Sequence, residues 1–474
     1  MTHRAVRNET PRNSVQRSRG FLVFRQAGRW GLGVTGVLAA TAAAAWLAIR
    51  KWPSPEEPPR PVASLAAENT AQHAAFLVCD RLLADFPEDA EALSLRGALL
   101  SAWGQTTEAM RSWRAAVRLQ PDHAGACEGI GKTALRSGDY ATAVVMYRRA
   151  LAAAPDRADL SLGLGKALVE AGQPAEAIDV LAPHVSRWPD SIEGLHLLGE
   201  AYLAVHRDRE AKETLQRVLQ SQAASSRTYY GLMMACRRLG QPEEAARYEA
   251  EFRRQKERER AVAVAQRRDH WDQRSVERRL ADTYLSAAAL YQARGYVEQA
   301  IEYWHQAAAA DPTHVESRQF LVMALAEGDR VDEALRLAEE LQRIEPQVAQ
   351  HYLVAGRLWA RRSRWDAAEI ALRKAAELAP HDSQVHAFLA LVYLQGGGQP
   401  EQAAACARRA VELAPTPANY ALLCEAYERS GQHAAALGAI RRAVELAPDN
   451  PAILQQLERL QLTGSAGRKE TGDR

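Results

Sequence analysis

The sequence predicts an all-α protein, a solenoid of about ten 34-residue helix-turn-helix repeats preceded by one transmembrane helix. Three observations predict it. The 474 residues are 47% hydrophobic but only 7% aromatic, so the apolar content is mostly Ala and Leu, which favour helices over strands. Prolines recur at 87, 121, 155 and 189 and again at 312, 346, 380, 415 and 448, a period near 34 that marks a helical array. One run without a charge, Trp30 to Ile49, is twenty residues long, which as a helix spans the ~30 Å hydrocarbon core of a bilayer. A net charge of +2 with 25% charged residues argues against a nucleic-acid partner and against an acidic disordered chain. Five Cys without a CxxC pair exclude a zinc ribbon, a thioredoxin-like motif and a disulfide-dense scaffold.

In chain order, residues 1–29 carry seven Arg against one acid, Glu9, and read as a basic cytoplasmic segment. Residues 30–49 read as a signal-anchor helix in contact with the lipid bilayer. Trp30 at one end and Trp46 and Trp52 at the other suit the two interfaces. Five basic residues shortly before the run against three after it hold the N-terminus inside. That orientation predicts a single-pass protein of the inner membrane with its remaining residues periplasmic or extracellular. A cleaved signal peptide is the rival reading, because Ala43-Ala44-Ala45 offers a small-x-small site. The length of the basic region and the apolar run to Ile49 favour the uncleaved anchor. Residues 50–63, with PSPEEPPRP from Pro53 to Pro61, form a stiff spacer.

Repeat units start near residues 90, 124, 158, 192 and 226, then 281, 315, 349, 383 and 417. Residues 64–256 make an N-terminal array, opened by a lone capping helix over Leu65 to Phe86. Residues 281–462 make a second array, closed by a helix over Pro451 to Leu462, and 463–474 read as a disordered tail. Between them lies a charged connector, 257–280. Because no Gly or Pro occurs from Glu243 to Arg294, the connector is either one extended solvated helix or two helices broken near Asp269 to Asp272. Gly396-Gly397-Gly398 holds the extra residue of the one 35-residue interval. The unit from Ile192 has Ala223 where Pro is expected, and the unit from Ser226 has Met233, Cys236 and Glu249 at normally small or apolar places. Distortion is expected there.

Within one unit, Ile130 and Gly131 lie on the first helix, Gly138 ends it, and Ala143, Tyr147 and Ala150 lie on the second before Pro155. The unit from Ala281 repeats this with Tyr291, Gly295, Ala300, Trp304, Ala307 and Pro312. This pattern resembles the tetratricopeptide repeat, over about Ala90 to Pro448. The resemblance implies a right-handed superhelical solenoid whose first helices line a concave groove for extended or helical peptides. The groove-facing residues are then Glu128, Lys132, Arg136 and Lys166 early in the chain, followed by Tyr230, Met234, Arg237 and Arg238. Phe320, Met323, Arg357, Arg361 and Phe388 come later. None of these is Asn, so neither the carboxylate clamp of chaperone-binding relatives nor the Asn ladder of sugar-transferring relatives is expected. A groove that is basic early and apolar-basic later suits acidic or amphipathic segments of protein partners.

Catalytic chemistry finds little support. Gly131-Lys132-Thr133 lacks the Gly that a P-loop requires at position 126, which is Ala, and the preceding strand as well. His381, Asp382 and His386, like Asp269-His270-Trp271-Asp272, lack the spacing of a metal site. The five Cys read as unpaired, with a Cys406–Cys424 bridge left open. No enzyme activity, cofactor or metal is expected, and self-association is left open. The leading expectation is a membrane-anchored scaffold that binds protein partners. The alternatives are a non-catalytic subunit of an envelope enzyme or assembly system, of transferase or cytochrome-maturation type, and a cleaved secreted protein.

Overall fold

The structure, a computed structural model, describes residues 70–221, 224–266, 273–396 and 398–470. The basic segment 1–29, the expected anchor 30–49 and the spacer 50–63 lie outside the described residues. So do Ala223 and Asp269 to Asp272 of the connector. The described residues form 22 helices and no strand, and none of these helices is long and apolar enough to cross a membrane.

The first half runs α1 (Thr70–Asp85), α2 (Ala90–Ala102), α3 (Thr106–Leu119), α4 (Ala124–Ser137), α5 (Tyr140–Ala153), α6 (Ala158–Glu170), α7 (Pro174–Arg187), α8 (Ile192–Ala204), α9 (Asp208–Gln220), α10 (Ser226–Arg238) and α11 (Pro242–Gln266). The second half begins with α12 (Gln273–Ala293). It continues through α13 (Val297–Ala310), α14 (Val315–Glu327), α15 (Val331–Ile344), α16 (Ala349–Arg361), α17 (Trp365–Leu378), α18 (Ser383–Gly396), α19 (Pro400–Leu413), α20 (Pro417–Arg429), α21 (His433–Leu446) and α22 (Pro451–Glu470). α22 runs past Thr463, where the sequence predicts a tail.

Each repeat pairs a first and a second helix through one small residue. Ala109, Ala143, Ala177, Ala211 and Ala245, and then Ala300, Ala334, Ala368, Ala403 and Ala436, are all at most 3% exposed. The absence of bulk there lets the paired helices approach closely, and the aromatic or Leu beside it fills the remaining space. Turns follow the same logic. Gly138 ends α4 at φ 80°, a left-handed conformation that glycine adopts without strain. Asp139 then caps α5 by accepting from Thr142 N–H at 3.1 Å.

The two units expected to be distorted have regular helices. Met233 and Cys236 are buried, and Glu249 points outward to Arg237 and Arg253, both at 2.7 Å. The departure lies instead in α11, whose 25 residues exceed the 13 of α10 beside it. Its Glu259 carboxylate accepts from the N–H and hydroxyl of Ser226 at 2.8 and 2.6 Å, which satisfies the exposed start of α10. Those two bonds hold its pKa below the usual carboxylate range.

The start of the second half docks on the start of the first. Trp103 Nε1 donates to Thr283 Oγ1 at 3.0 Å, and the Arg279 guanidinium lies over the Trp103 ring, 5.4 Å from its centroid. At the other end of the contact Arg294 grips Asp89 through two bonds of 2.7 and 2.9 Å, so α2 and α12 run antiparallel. Tyr291 donates to Asp85 at 2.5 Å and packs edge-on against Phe86. Burial first, and then the Asp85 carboxylate, push the Tyr291 phenol up. The helix read as a cap is therefore not a free end: α1 packs on α12.

Candidate functional site

Between α2 and α4 lies an open cavity of about 690 Å³. Its floor is made of small residues, Ser94, Ala98 and Ser101 on α2 and Gly125 and Gly129 on α4. Beneath it runs Trp113, whose Nε1 donates to Ser94 C=O at 3.1 Å. A Cβ at position 129 would stand 2.2 Å from that indole, so glycine is what lets the ring pass under the helix. Gly163 stands in the same relation to Tyr147 one repeat later, also at 2.2 Å. The glycines around Lys132 and Lys166 are thus packing residues inside helices, where no phosphate loop can form.

Charge on this face is uneven. Glu128 is buried to 8% exposure and holds both Lys132 and Arg157. Arg157 also reaches Asp159; the Asp159 and Glu128 carboxylates push the Arg157 pKa up, and the Arg157 guanidinium in turn lowers that of Asp159. Arg136 and Lys166 are exposed and have no partner among the described residues. Of the early basic residues, Arg136 lines the cavity unpaired, Lys166 stands unpaired one repeat further on, and Lys132 is tied to a carboxylate.

The later groove residues fall into different surroundings. Tyr230 packs against Phe252 of α11 with centroids 5.8 Å apart, Met234 is half-buried, and Arg237 pairs with Glu249. Phe320 stacks on the buried Trp304 at 5.5 Å, while Met323 is 61% exposed. Arg357 lies 4.8 Å over the half-buried Phe388 ring. Arg238 and Arg361 reach back to the preceding repeat. Arg238 donates to Leu203 C=O at 2.6 Å and pairs with Asp208, and Arg361 donates to Ala326 C=O at 2.6 Å and pairs with Asp329. They satisfy helix-end carbonyls and tie repeats together instead of standing open on the groove. Arg429, which the sequence reading passes over, does the same to Leu394 C=O.

A second cavity of about 720 Å³ lies between α2 and α12, lined on the α12 side by Ser286, Ala289, Ala293 and Arg294. It shares Glu91 and Leu95 with the first. Sequence reasoning misses this wall, because nothing periodic links residue 91 to residue 289. Among the described residues no cluster of three or more His, Cys, Asp or Glu could hold a metal. All five Cys are free, with Cys406 half-buried and the rest buried. Burial pushes the thiols of Cys79 and Cys424 up to about 12, far from a reactive thiolate.

Comparison with known proteins bears on the repeats. Tetratricopeptide-repeat family models match residues 134–186, 321–383 and 417–460. Among solved structures, MamA 41-end from Desulfovibrio magneticus RS-1 is 21% identical, with 36% of this chain and 97% of that chain covered and a TM-score of 0.34. TTC0263, a thermophilic protein of this repeat class from Thermus thermophilus, is 22% identical over 38% of this chain and 99% of its own, at 0.31. Yeast Tom70 is 14% identical over 81% and 99%, at 0.34. No curated protein sequence matches. With three family matches spread over both halves and helix pairs at the expected period, the chain belongs to the tetratricopeptide-repeat family.

Proposed function

We propose that this protein is a membrane-anchored scaffold that holds acidic segments of partner proteins on the first-helix face of its first half. The observation that carries this reading is the charge imbalance beside the α2–α4 cavity. Glu91 is paired with His123 at 2.9 Å and Glu128 with Lys132 and Arg157, whereas Arg136 and Lys166 are unpaired. An occupant that supplies carboxylates completes the set, with an affinity that weakens as salt rises. The anchor reading rests on the sequence of residues 30–49 and their basic flank. The protein works by holding partners and carries out no chemistry of its own.

Charge reversal at Arg136 and Lys166 together tests the binding face. Capture of partners by the full chain in envelope extract, read by mass spectrometry, is expected to be lost while helical content and melting stay unchanged. Retained capture overturns the assignment. For topology, an alkaline phosphatase fused after Arg60 is expected to be active in a bacterial host. A silent phosphatase fusion beside an active cytoplasmic reporter at the same place contradicts the orientation.

A further inference from the structure

We propose that the acidic segment is held in a single cleft shared by the two halves, with α12 as its second wall. This rests on the groove reading above and extends it to a site that exists only where the halves dock. The two cavities, about 690 and 720 Å³, adjoin at Glu91 and Leu95, and the proposed cleft joins them across α12, α2 and α4. Its floor carries small side chains on all three helices: Ala289 and Ala293 on α12, Ser94 and Ala98 on α2, and Gly125 and Gly129 on α4.

Charge identifies the occupant. Every carboxylate along the channel already has a cation or an imidazole: Asp89 has Arg294, Glu91 has His123, and Glu128 has Lys132 and Arg157. The channel ends at Arg136, which has no partner among the described residues, with Lys166 one repeat further on. A segment with carboxylates over Arg136 and Lys166 and small or apolar residues toward Leu95 and Ala289 fits this order. Because both halves supply walls, its binding also favours the docked arrangement made by Trp103–Thr283 and Tyr291–Asp85.

The test uses the full chain and a fluorescein-labelled peptide of alternating Glu and Ala, followed by fluorescence anisotropy at low and high salt. Ala289 is exposed on α12 and touches none of the docking bonds, so Ala289→Trp blocks the second wall while leaving the fold in place. The wild-type chain is expected to bind the peptide, and Ala289→Trp and Arg136→Glu are each expected to weaken it by about tenfold or more. Glu257→Ala, exposed on α11 and lining neither cavity, is expected to bind as wild type. Should Ala289→Trp alter melting, Ala293→Trp at the exposed end of α12 repeats the test. If Arg136→Glu loses the peptide while both Trp variants keep it, the shared cleft is overturned and the groove of the first half stands. If the wild-type chain does not bind, the acidic-partner reading falls and the shared cleft with it.

Discussion

Arg136 in the first half and Arg361 in the second end α4 and α16 at equivalent places, the thirteenth residue of a 34-residue unit, yet they have different surroundings. Arg361 pairs with Asp329, 32 residues earlier, and with a carbonyl 35 residues earlier. Arg238 does likewise with Asp208, 30 residues earlier. Counted back by the same intervals, Arg136 meets Thr106 and Gly104, which offer no carboxylate. The difference teaches that a basic residue at the end of a first helix is committed to the stack when the preceding turn carries an acid. Where that turn carries none, the residue either keeps only the carbonyl bond, as Arg429 does with Leu394, or stands unpaired, as Arg136 does.

The sharpest way to break the comparison is to damage the floor beneath the open arginine. Gly129→Val drives a branched side chain into Trp113 and is expected to destabilise by about 3 kcal/mol, at the upper end for overpacked cores. Next in size, Ala150→Leu or Ala307→Leu, each at a fully buried helix contact, is expected to lose about 1–3 kcal/mol. Glu257→Ala on exposed α11 should change stability by less than ~0.5 kcal/mol. Urea unfolding of all four checks the repeat register, and equal losses at Ala150 and Glu257 contradict it.

A smaller effect sharpens the contrast between the arginines themselves. Arg361→Met gives up its carbonyl bond and a solvent-screened ion pair, about 1 kcal/mol in all. Arg136→Met should stay within ~0.5 kcal/mol.

The smallest effect is a pH dependence. His184 is buried between the hydroxyls of Ser161 and Ser191 at 2.7 and 3.0 Å, and burial lowers its pKa from 6.5. The unfolded chain therefore takes up the proton first as pH falls through 6.5, and this part of the stability is present above that pH and lost below it. Thermal melts between about pH 7 and 5 should fall, and His184→Gln should fall less.

Much of this molecule is legible in one dimension. The prolines and buried alanines follow a period because each repeat contacts its neighbours in the same way, so local spacing carries the fold. The place of Arg136 and Lys166 as exposed cations on first helices is legible for the same reason. What escapes is the junction. Trp103 meets Thr283 across 180 residues and Asp89 meets Arg294 across 205, and neither interval follows from the period. Tyr291 reads as a repeat aromatic, and its bond to Asp85 is visible only once the halves are docked. Arg238 and Arg361 look like groove residues because their partners lie in the preceding turn, beyond the helix that defines the face.

The most direct measurement pairs two charge reversals, Arg136→Glu and Arg361→Glu, in the full chain, reading melting temperature and acidic-peptide affinity on the same samples. Arg136→Glu is expected to abolish binding with melting unchanged. Arg361→Glu is expected to lower melting and leave binding intact. Loss of binding in Arg361→Glu with none in Arg136→Glu contradicts the account.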